Sequence, residues 1–227
     1  VINLLWDVIA AKGFEKDTYF EMAASDIRAL PKLEGTVHVN MALIVKFMAN
    51  YFFNPGEFPE IGKVDAPVHD DFLFNQGPTK GLGKIQFHDY NIAYNSLDLP
   101  NITIFKEQIA LLVELLMTAP PNQDQVKDID FLLNLGELFT LVAYGQLLIE
   151  KAGINGVDDD LMDQIFDFMV RDFSKFALQL YSKTRSTSEQ MDICMKIIKK
   201  PAVNPERFNR IWEKDVLSLK ETYTMND

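Results

Sequence analysis

Three stretches of this chain carry residue types that do chemistry. Leu33-Glu34-Gly35-Thr36 sets a carboxylate beside a glycine, on the turn before an apolar helical stripe. His69-Asp70-Asp71 and His88-Asp89 pair imidazole with carboxylate, as some metal-dependent hydrolases do. Gly77-Pro-Thr-Lys-Gly-Leu-Gly-Lys84 has the glycine and lysine content of a phosphate-binding loop. The last two weaken under scrutiny. In the glycine-rich run the spacing is wrong for a phosphate loop, Ile85 stands where a Ser or Thr would bind magnesium, and no strand pattern precedes it. Turn geometry accounts for its glycines. The histidines are His38, His69 and His88, and no third His-rich segment completes a set of three or four ligands, so no metal is expected.

The first stretch gains weight from what lies upstream. Residues 8–36 read VIAAKGFEKDTYFEMAASDIRALPKLEGT. The ending Leu33-Glu34-Gly35-Thr36 resembles the aromatic-Glu-Gly-Thr signature of the acyl-CoA dehydrogenases. That family carries a Gly-Gly-x-Gly-aromatic run whose aromatic residue stands 22 positions before the Thr, and Gly13-Phe14 sits at that distance from Thr36 without a gap. Glu21 matches an acidic residue of the intervening helix. Asp26 and Arg28 match the Asp and Lys of the family's Arg-Asp-Ala-Lys run.

The resemblance implies a chemistry. Such an enzyme removes a proton from the α-carbon of an acyl-CoA thioester and passes a hydride from the β-carbon to N5 of FAD. The base is a carboxylate on a fixed turn, shielded from bulk water, and by resemblance it is Glu34. The backbone beside it polarises the thioester carbonyl, and Gly35 lets substrate approach the main chain. Thr36 and His38 open the next helix, in the region that touches flavin in relatives. Ala11 falls where the family's glycines lie against the cofactor. The family also implies a homo-oligomer and an electron-transfer acceptor, and the lone cysteine, Cys194, points to a cytoplasmic setting.

The departures are specific. The family's Gly-Gly is Ala10-Ala11 here, and the two added β-carbons crowd a pyrophosphate or adenine. A Gln common just upstream is Asp7, the Arg before Asp26 is Ser25, and the aromatic before the base is Leu33. They favour an alternative reading, a non-catalytic helical module that retains the fold for oligomerisation or partner docking.

The elements that must position these residues are helical throughout. Ile2, Leu5, Trp6 and Ile9 recur at spacings of three and four, residues 17–30 form a second candidate helix, and 37–53 carry a stripe of Val37, Met41, Ile44, Val45, Met48 and Phe52. Residues 54–87 then hold Pro55, Pro59, Pro67 and Pro78 and read as one long irregular excursion. Asn101 is the expected N-cap of a helix over 102–118, ended by Pro120-Pro121. A long helix is expected from about 123 to 152, stopped by Gly153. The Asp158-Asp159-Asp160 run opens 158–183, whose stripe is Leu161, Ile165, Phe168, Phe173, Phe176 and Leu180. Ser186 with Glu189 reads as a capping box for 187–200, and Asn204-Pro205 starts the last helix. The fold class is therefore an all-α helical bundle of seven or eight helices. Its division is 1–53, carrying the catalytic-base motif at the end of an acyl-CoA dehydrogenase-like C-terminal domain, and 54–227, a helical extension of the kind some bacterial members carry. The run from Asp71 to Asp89 resembles that subset.

Bulk properties narrow the partners. The chain has 227 residues, 48% hydrophobic, with a formal charge of −11, which repels nucleic-acid backbones and anionic lipid. The basic run Lys196, Lys199, Lys200 sits near a helix end, where it complements the dipole. The single cysteine, Cys194, excludes an intrachain disulfide, lies in an apolar helical pattern and fits a reducing compartment. The stretch 131–149 is apolar almost all round, yet it contains Glu137 and Gln146 and reads as the central helix of a bundle rather than a membrane span.

Overall fold

The computed structural model describes residues 2–33, 35–57, 81 and 84–220. Among these the structure is all-helical, with one isolated bridge between Gly56 and His88 and no strand. Ten α-helices appear in the described residues: α1 (Ile2–Ile9), α2 (Tyr19–Ala29), α3 (Val37–Ile44), α4 (Met48–Phe53), α5 (Tyr90–Asn95), α6 (Pro100–Thr118), α7 (Ile129–Asn155), α8 (Asp159–Tyr181), α9 (Ser188–Ile197) and α10 (Pro205–Ile211).

The core belongs to α6, α7, α8 and α9. Helix α7 runs against α8, α3 and α5, while α6 and α9 pack on α8 and on each other. Ile102, Phe105, Leu112, Leu115, Leu135, Leu138, Phe166 and Phe173 have no measurable exposure. Phe105 meets Phe166 and Phe173 edge-on, with centroids 5.4 and 5.2 Å apart, an arrangement that suits the ring quadrupoles. A second aromatic group, Tyr51, Phe52, Tyr90 and Phe139, joins α4 and α5 to α7. Helix α7 has the length and apolarity to cross a membrane, and half of its most apolar window is buried inside the protein.

Several helix ends differ from the sequence expectation. Asn101 does not cap α6. Pro100 takes the first helical position and Leu99 the cap, which puts Asn101 inside the helix, fully buried against α8. The long helix does not begin at 123. A 3₁₀ turn over Gln125–Lys127 comes first, and Asp128 caps α7 through the amides of Asp130 and Phe131. Gly153 does not stop it, because nothing there requires glycine; Gly156, at φ 65°, is the left-handed terminator. The capping box of α9 is Thr187 with Gln190, one residue beyond the expected pair. Phe168 is exposed and leaves the expected stripe of α8, whereas Asp158 and Asn204-Pro205 open α8 and α10 as expected.

The ends of the 54–87 excursion meet each other. The Gly56 amide donates to the Phe87 carbonyl at 2.8 Å, and the Asn50 side-chain amide donates to the Ile85 carbonyl at 2.8 Å. His69 and most of the glycine-rich run lie outside the described residues.

Candidate functional site

The motif sits at the entry to α3. Thr36 is the N-cap, its hydroxyl accepting from the Val39 amide at 3.4 Å, and His38 lies exposed in the first turn. Gly35 has φ 118°, a conformation that L side chains rarely adopt. A β-carbon there would meet only ordinary contacts, the nearest at 3.6 Å, so the backbone torsion and not lack of space calls for glycine. Gly35, Thr36 and His38 thus form one exposed corner, flanked by exposed Leu33, Val37 and Val39. Glu34 lies outside the described residues.

Ala11 is in a different element, the exposed 3₁₀ turn Ala10–Phe14, which packs on α1 and α2. Its neighbour Ala10 has φ 49°, a torsion that costs a β-carbon about 1–2 kcal/mol. That is one of the positions where the sequence departs from the glycines of the signature it resembles. Gly13 is held for another reason: a β-carbon there would come within 2.5 Å of the Trp6 indole nitrogen. Trp6 is the centre of a small cluster of its own. Phe14 and Phe20 meet it edge-on at 5.2 and 5.7 Å, and the Arg28 guanidinium lies 4.6 Å from its ring centroid. Arg28 also donates to Asn3 at 2.8 Å, and Glu21 accepts from the Asp17 amide at 2.7 Å at the entry of α2. The matched residues Gly13, Phe14, Glu21 and Arg28 therefore all have structural employment in the arm formed by residues 2–33. Asp26 is exposed.

A flavin bound as the resemblance implies would meet two kinds of surface here. At α3 the exposed helix entry offers a positive end to an anionic group. At residues 7–11 it meets an exposed carboxylate, Asp7, and the β-carbons of Ala10 and Ala11. The open helix entry at 35–38 would tolerate an anionic group, and the Asp7 carboxylate and the β-carbons of Ala10 and Ala11 would oppose one at 7–11. Two open grooves, of about 490 and 540 Å³, lie beside α10, and neither is lined by residues 35–38. No group of three or more His, Cys, Asp or Glu residues among the described ones is placed to hold a metal ion.

Two polar assemblies in the bundle escaped the sequence reading. Asn101 receives the Ala202 amide at 2.7 Å, and its own amide nitrogens donate to Asp163. Asp163 in turn is paired with buried Arg207, which also approaches Asp167 at 3.7 Å. On the other side, the Tyr51 hydroxyl donates to Gln146 at 2.7 Å, Gln146 donates to Glu150 at 2.8 Å, and His88 lies 3.7 Å from Glu150. Burial raises the Tyr51 hydroxyl well above the usual tyrosine range, so it acts as a fixed donor. Cys194 is fully buried, and burial pushes its thiol up to about 12, which leaves it inert. No family model, curated protein or solved structure matches the chain.

Proposed function

We propose that this chain is the C-terminal part of an FAD-dependent acyl-CoA dehydrogenase in which Glu34 abstracts the α-proton of the thioester. One observation carries the reading. The residue after Glu34 is a glycine at φ 118°, and the next is the cap of α3. The catalytic signature that this stretch resembles needs such a turn: a carboxylate fixed before a glycine, at a helix entry with amides open to an anion. The gapless run from Gly13-Phe14 to Thr36 supports the same reading.

In this mechanism Glu34 receives the α-proton, and Gly35 leaves room for the thioester carbonyl beside the main chain. Thr36 and His38 would hold the cofactor side of the turn, where a bound flavin would supply hydride acceptance from the β-carbon. Exposed apolar residues beside the turn, Leu33 and Val39 among them, would be covered by the remaining domains of the enzyme, which exclude water from the base.

A second reading has its own observation. Ala10 at φ 49° and exposed Asp7 stand where the family presents glycine and no charge, which favours a helical docking module without cofactor. Flavin titration of the full native polypeptide separates the two. Stoichiometric uptake, followed by bleaching on addition of an acyl-CoA, is the outcome for the enzyme; a colourless protein that takes up no flavin is the outcome for the module.

A further inference from the structure

The last described segment is held to the bundle in two different ways. Residues 202–207 are pinned. The Ala202 amide donates to Asn101 at 2.7 Å, and the Asn101 side chain donates back to the Ala202 carbonyl at 3.3 Å. Arg207 follows, paired with Asp163, and these two side chains are only 4% and 6% exposed. Beyond that pin the hold is exposed charge. Arg210 donates to Asp160 at 2.5 and 2.7 Å, and Lys214 is paired with Asp158, yet the two cations are 55% and 65% exposed. The cations at 207, 210 and 214 recur at spacings of three and four, which puts them on one helical face. They meet the carboxylates of Asp163, Asp160 and Asp158 in reverse order, so the segment runs antiparallel to the start of α8. No apolar side chain from Phe208 to Lys220 is buried. Ile211 and Asp215 are partly buried, and every other residue of this stretch is exposed.

Two features set this segment to open. Salt screens exposed ion pairs and leaves buried ones nearly untouched, so the Arg207 pair outlasts those of Arg210 and Lys214 as ionic strength rises. The closed state also carries a cost. The Oδ2 atom of Asp215 is shut away from water with no hydrogen-bond partner, and opening returns it to solvent. We propose that residues 208–220 form an electrostatically latched strap, hinged at Arg207, that opens as ionic strength rises and uncovers the acidic start of α8. An open groove of about 540 Å³ already runs between the strap, at Arg210 and Lys214, and the carboxylates of Asp158 and Asp160. Opening widens that groove and frees both carboxylates of their cations. The strap thus couples the exposure of Asp158 and Asp160 to the salt around the protein. It stands on the contacts of residues 202–220 and not on the flavoenzyme reading.

Amide hydrogen exchange of the full native polypeptide, read by mass spectrometry, tests the strap. When NaCl is raised from about 0.05 to about 1 M, which shortens the screening length several-fold, amides of residues 210–219 are expected to exchange roughly threefold to tenfold faster, the range that two exposed pairs supply. Amides of α6 and α8 should keep their rates. Arg210→Gln combined with Lys214→Gln should exchange fast in the strap already at low salt and lose the salt response. Arg210→Asp should do the same in part, and adding Asp160→Arg to it should restore slow, salt-sensitive exchange. Strap exchange that does not change with salt overturns the proposal, because the hold would then not be ionic. So does an increase shared equally by α6 and α8, which would be opening of the whole bundle, and so does a charge-swapped pair that fails to restore protection.

Discussion

In the arm, residues 2–33, Leu4, Val8, Phe14 and Leu30 are exposed, and among the residues whose burial is described only Gly13 and Ala24 are buried. In the bundle, a comparable stock of apolar residues is packed until Phe105, Phe166 and Phe173 have no exposure at all. The arm holds itself together through Trp6, whose partners all lie within residues 2–33, and its elements pack mainly on each other. The bundle needs nothing beyond itself to bury its core. The difference separates two jobs: residues from α3 onward pack into the bundle and provide its stability, and residues 2–33 expose apolar side chains.

The contrast breaks most sharply under truncation. Phe105→Ala should cost the bundle about 3–5 kcal/mol in denaturant unfolding, since the ring leaves a cavity among packed aromatics. Arg207→Ala should cost a similar ~3–5 kcal/mol, because it removes the buried cation paired with Asp163 and leaves that buried carboxylate only the two N–H donors of Asn101. If either change leaves the midpoint in place, the bundle is not the source of stability. Next in size is Gly145→Ala on α7. Its β-carbon would come 2.3 Å from the Tyr94 hydroxyl, which is buried and donates to the Val142 carbonyl. A loss of about 1–3 kcal/mol is expected. Ala10→Gly should work in the opposite direction and only in the arm. Relief of the φ 49° torsion is expected to slow amide exchange in residues 2–33, by an amount equivalent to about 1 kcal/mol, without moving the bundle's midpoint. Smallest of all, Phe14→Ser should change global stability by less than about 0.5 kcal/mol.

Acid sharpens the contrast at the other end of the chain. The Lys214 ammonium and the Leu161 amide hold the Asp158 carboxyl below its usual 3.8, and the Arg210 guanidinium does the same for Asp160. A depressed carboxylate contributes fully above its unfolded value and loses the contribution as pH falls through the folded one. Residues 205–216 should therefore loosen from α8 only below pH 3.8, seen as a rise in Trp212 solvent exposure. Loosening between pH 5 and 7 would assign the clamp to other groups.

The sequence made the bundle readable because its signals are local. Apolar spacing, the Asp158 cap and Asn204-Pro205 each act within a turn or two, and the structure has them. Asn101 misled because a local rule, polar residue before an apolar run, competed with a distant partner, Asp163, 62 positions away. Its network with Ala202 and Arg207 joins three helices and leaves no periodic trace. Trp6 and Gly13 were separable from core periodicity only once the 2.5 Å approach between them was visible. The turn at Gly35 was legible as a tetrapeptide, and its positive φ gives that tetrapeptide a physical reason. The strain at Ala10 follows the same logic from the other side, as a residue with a β-carbon in a torsion that favours glycine.

The most direct test of Glu34 as the base is the turnover of Glu34→Gln in the full native polypeptide, measured with an acyl-CoA and an artificial electron acceptor. The account predicts unchanged flavin binding and a loss of roughly 10²–10⁴-fold in kcat, the usual contribution of a general base. A variant that turns over at the rate of the unaltered protein contradicts it.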